Sequence, residues 1–309
     1  MSITLMKHLI PTLALLMGAA VSVAAGPVQR SQVSADAKWL LHLDADAFKS
    51  TVLGGQFMTD VLDKKSAKAK EDLKAGLDFE LDWRQIHSIT AYGNQHSQHG
   101  DPKGILVIQT DMLVQPALER AIAKNLPTLR VERFEYSPAP LYQLNGDPWV
   151  AFQPGGLVIL SKARESVEKA LAVLSGERAN LTSTTSFEGY PAAPFTFFIL
   201  GVAEGLGQDV NLPPNAAVLK KAEGGRLVIG EKGDRLAVNL DVKTASPEVA
   251  QQIQQVVQGL LALGALNADQ KPDLAALVQG ASVTQNGAMV SLGVELPVAK
   301  VLNKIKEKN

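Results

Sequence analysis

A change of hydrophobic period constrains this chain more than any other feature. Between Arg235 and Lys243, Leu236, Val238, Leu240 and Val242 alternate with Ala237, Asn239, Asp241 and Lys243. Period two belongs to a strand with one buried face. The run follows RLVIGE (Arg226–Glu231) across a short loop centred on Gly233, and glycine accepts the positive φ of a tight hairpin turn. The period then switches. Ser246 is suited to cap a helix, Pro247 to open it and Glu248 to sit at its positive end. Val249, Ile253, Val256, Val257, Leu260 and Leu263 recur at helical spacing, with glutamines filling the opposite face. Neither element can hide its apolar side alone, so the helix is expected to lie on the sheet.

Three more stretches follow this order of hairpin and helix. Gln85–Gly93 and Gly104–Thr110 read as strands, followed by a helix over Met112–Leu126. Trp149–Gln153 and Leu157–Ser161 flank Pro154-Gly155-Gly156 and precede a helix over Ala163–Ser175. Ala281–Gln285 and Ala288–Glu295 flank Asn286-Gly287, a strong hairpin signal, and Pro297–Lys306 closes the chain as a helix. Lys38–Asp46 and Phe195–Leu200 read as strands that open each half. Gln56–Gly76 reads as a charged helix after a break at Gly54-Gly55, and Leu129–Tyr136 with Leu141–Leu144 as an inserted strand pair.

The expected fold class is therefore α+β: two similar domains built from repeated β-hairpin–helix units, with antiparallel sheets and helices packed on one face. Residues 26–37 read as a flexible lead-in, 38–176 as the first domain, 177–194 as a linker rich in Ser, Thr, Gly and Pro, and 195–309 as the second domain. The two are expected side by side or sharing a continuous sheet.

The first 25 residues have the pattern of an export signal: Lys7, an uncharged apolar run Leu9–Val23, and Val23-Ala24-Ala25 for cleavage after Ala25. Retention as an anchor is the alternative. A periplasmic or secreted location is expected, with no transmembrane segment in the mature chain. Thirty basic residues against 31 acidic ones give no field that would favour nucleic acid. The absence of cysteine excludes disulfides, thiolate metal sites and a cysteine nucleophile. Aromatic residues at 5% argue against a base- or sugar-stacking platform.

Four groups of residues could carry chemistry. His96 and His99 lie in the loop Asn94–Lys103, with His87 upstream, and imidazoles could hold zinc, copper or nickel if a third ligand were fixed. His42, Asp44 and Asp46 would share one face of the opening strand, with Asp46 as the N-cap of the next helix. They are the first suspects for an acid–base site, although a wet sheet face accounts for them equally. Ser166-Val167-Glu168-Lys169 matches S-x-x-K formally, but Val167, Ala170, Leu171 and Leu174 mark the core side, which puts Ser166 and Lys169 at its edge or outside. Gly201, Gly205 and Gly207 follow a strand without the spacing of a phosphate loop. No catalytic residue and no cofactor is assigned on this basis.

WLLHLDADAF (Trp39–Phe48), GGLVILSKARESVEKALAVLSG (Gly155–Gly176), LPPNAAVLKKAEGGRLVIGE (Leu212–Glu231) and AQQIQQVVQGLLAL (Ala250–Leu263) together resemble a family of uncharacterised exported bacterial proteins. The resemblance implies a signal peptide, two α+β halves and a domain of unknown function. It assigns no catalytic residue. The reading is an exported non-catalytic protein that binds an envelope or secreted partner. An envelope hydrolase with a site assembled from distant residues is one alternative, and a metal-binding protein using the His96/His99 loop is another.

Overall fold

A computed structural model describes residues 28–95, 104–126, 129–205, 220–266 and 272–307. Among these, twelve strands form one antiparallel sheet. They are β1 (Trp39–Asp44), β2 (Ile86–Gly93), β3 (Ile105–Thr110), β4 (Val131–Phe134), β5 (Leu141–Leu144), β6 (Trp149–Gln153), β7 (Leu157–Ser161), β8 (Phe197–Glu204), β9 (Ala222–Lys232), β10 (Arg235–Thr244), β11 (Ala281–Asn286) and β12 (Met289–Pro297). Their spatial order is β11-β12-β10-β9-β8-β1-β2-β3-β7-β6-β5-β4. The centre is the pair β1–β8, in which Leu41 faces Gly201 and Leu43 faces Ile199. The two halves of the chain thus share a continuous sheet. Outward from that centre the order is β1-β2-β3-β7-β6 on one side and β8-β9-β10-β12-β11 on the other, and β5 and β4 extend the first side.

The hairpins form where the sequence places them. Gly233 at φ +63° turns β9 into β10. The β11–β12 turn differs by one residue from the sequence reading. Asn286 pairs with Met289, so Gly287-Ala288 forms the loop, and Gly287 at φ +55° takes its first position. Glycine at the first loop position is the pattern of a type II′ turn, whose twist matches that of the flanking strands.

Helices cover both faces, which corrects the expectation of a single covered face. On one side lie α1 (Ala45–Ser50), α2 (Val52–Phe57), a π-helical turn (Met58–Asp63), α3 (Lys64–Leu77) and α4 (Val114–Lys124). They bury Leu43, Ile89, Ile108 and Val158 with Phe48, Phe57, Leu62 and Leu118. The same cluster extends into the second half through Phe198, Ile199, Ile229 and Leu236, and includes Val298 and Leu302 of α8 (Val298–Glu307). α6 (Pro247–Leu266) and α7 (Pro272–Gln279) pack beside it over β10, β12 and β11. On the opposite side, α5 (Arg164–Leu174) buries Val167, Ala170 and Leu171 against Leu40, Ile105, Val107 and Ile159.

Residues 28–37 and 177–194 also belong to this second face. Val33 is fully buried and Leu181 nearly so. Arg30 ties the two segments together by donating to the carbonyls of Leu181 (2.6 Å) and Thr184 (2.9 Å). No helix among the described residues is long and apolar enough to cross a membrane.

Candidate functional site

The opening strand ends earlier than its sequence pattern suggests, and this redistributes the first acid–base candidates. β1 stops at Asp44, whose side chain accepts hydrogen bonds from the Asp46 and Ala47 amides at 3.1 and 3.2 Å. Asp44 is therefore the N-cap, and Asp46 lies in the first turn of α1. The expected wet face is also corrected. His42 and Asp44 are 6% and 5% exposed, on the face of the sheet that also buries Leu40 and Val202. His42 Nδ1 lies 2.9 Å from Thr90 Oγ1, its cross-strand partner on β2. Burial pushes the Asp44 carboxyl up from its ordinary range, against the two amides that hold it down. These groups form a buried polar seam and a helix cap rather than a convergent site.

A second constellation, partly missed from sequence, sits at the rim where β1 ends, β2 begins and β3 ends. His87 Nδ1 is 2.8 Å from Asp46 Oδ2, and its Nε2 is 2.9 Å from Asp111 Oδ2. Lys49 Nζ contacts Asp46 Oδ1 at 2.7 Å and donates to the carbonyls of Arg84 and Ile86 at 2.6 and 2.9 Å. Hydrogen bonds to Asp111 and then Asp46 raise the imidazole's pKa. Burial works to raise that of Asp46, but the bonds from Lys49 and His87 outweigh it and hold the carboxyl below its usual range. An imidazolium between two carboxylates is stabilised in its charged form. With both nitrogens engaged, neither is placed to take a proton from a nucleophile. Only the 46-to-49 spacing was visible in the sequence; Asp111 arrives through the β2–β3 pairing.

Next to this rim a cavity of 20 Å³ lies between Phe48, Met58, Leu62, Trp83, Ile89 and the stem of Lys49. That volume accommodates about one water, far below the ~300 Å³ of a small-molecule pocket. A third polar cluster lies on the opposite face of the second half. Arg226 donates to Asp241 Oδ2 from Nη2 (2.6 Å) and Nε (3.1 Å), and Ser291 donates to Oδ1 (2.6 Å). Asp241 is fully buried, and the Tyr190 ring covers the guanidinium at 5.4 Å. Burial pushes the Tyr190 phenol up to about 12. These contacts pair the charges of β9 and β10, and the Ser291 hydroxyl ties β12 to them.

Among the other candidates, Ser166 is 8% exposed, so it sits inward rather than at the edge of α5. Val167, Ala170 and Leu171 face the core as their spacing indicates. His96 and His99 lie outside the described residues, as do Gly207 and the segment up to Ala25. Among the described residues no group of three His, Asp or Glu side chains is arranged to hold a metal ion.

No family model matches the chain, and no curated protein matches it. A solved structure of TP0453, in crystal form III, superposes with a TM-score of 0.50 at 10% sequence identity, over 92% of this chain and 99% of that one. The likeness is one of fold. Crystal form I of TP0453 gives a TM-score of 0.48, also at 10% identity.

Proposed function

We propose that this chain is an exported, non-catalytic protein that binds an envelope or secreted partner. One observation carries the binding reading. The C-terminal half of α6 is uncharged and apolar, and it stands in solvent: Leu260 is 48% and Leu266 80% exposed, with Leu277 of α7 at 42% beside them. Large apolar side chains gathered at one end of a molecule mark an interaction surface rather than random exposure. The leader-like pattern of Lys7, Leu9–Val23 and Val23-Ala24-Ala25 supports export. The matching strand orders on the two sides of β1–β8 support an ancient duplication, which would have supplied a broad scaffold without requiring a catalytic site.

A photoactivatable residue placed at Leu266 in the native cell, with the same residue at Lys65 on exposed α3 as control, tests this reading. A discrete adduct to a different protein from position 266 and none from position 65 is the expected result. Equal adducts from both positions, or none to another protein, would overturn it. Amino-terminal sequencing of the exported chain should begin at Gly26, and a chain that keeps Met1 would contradict cleavage.

A further inference from the structure

The two edges of the sheet are built differently. β4 is four residues long and carries Glu132 and Arg133, with ion pairs Arg130–Glu132 and Arg133–Glu135 along it. A short, charged edge resists pairing with another strand. β11, at the other end, has six residues (Ala-Ser-Val-Thr-Gln-Asn) and contains neither charge nor proline. Its backbone is correctly set for a further strand. The two-residue loop makes Asn286–Met289 a hydrogen-bonded pair, so Thr284 and Ser282 also bond to β12. The amides and carbonyls of Ala281, Val283 and Gln285 therefore point outward, and among the described residues no strand takes them up.

We infer that β11 pairs antiparallel with β11 of a second copy of this chain, about a twofold axis through Val283. Three features select a second copy. In that register Ala281 faces Gln285 and Val283 faces Val283, so each outward amide meets a carbonyl. Ser282 of one copy faces Thr284 of the other on the exposed side, and no like charges meet anywhere along the uncharged strand. On the other side, α6 lies over β11, and its stripe of Ile253 and Val257 runs from the buried core to the half-buried margin beside that edge. The twofold brings two such stripes together from either side of the new strand pair. α6 is uncharged from Val249 to Leu266, which removes repulsion there too.

Sedimentation of the chain from Gly26 to Asn309 tests the pairing, with two double variants on the exposed face: S282E/T284E and S282K/T284K. The unaltered chain is expected as a species of twice the monomer mass. Each double variant should sediment as a monomer, because like charges would stand opposite each other. Mixing the two variants should restore the doubled species, which also shows that both are folded. A monomeric unaltered chain up to about 100 µM, a concentration at which even a weak specific pair would form, would overturn the inference. So would dimers that persist in both variants, or a mixture that stays monomeric. Heterologous capture at Leu266 is read independently of this outcome.

Discussion

Gly54 shows how closely the first helices are stacked. The sequence places a break at Gly54-Gly55, but α2 runs through both residues. The break falls at Thr51, whose hydroxyl caps α2 by accepting from the Gly54 amide at 2.9 Å. The glycine is needed for approach, not for a turn: a Cβ there would lie 1.8 Å from the Phe48 carbonyl oxygen. Gly54→Ala should therefore lower stability by about 1–3 kcal/mol, read as a lower urea midpoint, whereas Gly55→Ala, which has open space, should be neutral or stabilising. His87 sets a pH dependence of known sign. Its folded pKa is raised above 6.5, so its contribution is fully present below that value and is lost as pH rises through the folded pKa. As pH rises from below 6.5 through the folded pKa, the unaltered chain should lose stability relative to His87→Gln. Parallel denaturation curves for the two would show that the clamp contributes nothing.

The elements form where local rules are strong and meet where local rules say nothing. Period two and glycine-bearing loops made the hairpins β2–β3, β6–β7, β9–β10 and β11–β12 readable, as did the helix that follows each. The pairs β1–β8 and β3–β7 join strands distant in sequence, and no local pattern encodes them. The same gap hid the covered face of His42 and the arrival of Asp111 beside His87. α6 illustrates the limit within one helix. Its apolar spacing is uniform, yet Ile253 is 1% exposed and packs with Val290 and Val242, while Leu260 and Leu266 stand out. Ile253→Ala should cost about 2–5 kcal/mol in thermal or urea unfolding. Leu266→Ala should change stability by less than about 0.5 kcal/mol. A large loss at Leu266 would mean that the helix end is packed within the monomer.

At the scale of the molecule, one sheet and a shared apolar cluster on one of its faces bind the two halves. The largest apolar cluster takes Leu43, Phe48 and Ile89 from the first half and Phe198, Ile229, Leu236, Val298 and Leu302 from the second. The Phe48 and Phe198 rings meet at 5.6 Å. Glu231 accepts from the Val52 and Leu53 amides at 3.1 Å each, and Lys306 reaches Asp60 at 3.0 Å. These contacts cross the chain midpoint, so neither half keeps its buried surface when the other unfolds. The working surface proposed at β11 and α6 lies at the far end of this sheet, away from the β1–β8 seam. Differential scanning calorimetry of the chain from Gly26 onward tests that unity most directly. One transition is expected, with the calorimetric and van't Hoff enthalpies equal for the cooperative unit, and Phe198→Ala should shift the whole transition down. Two separable transitions, only one of which responds to Phe198→Ala, would show two independent domains and contradict the shared core.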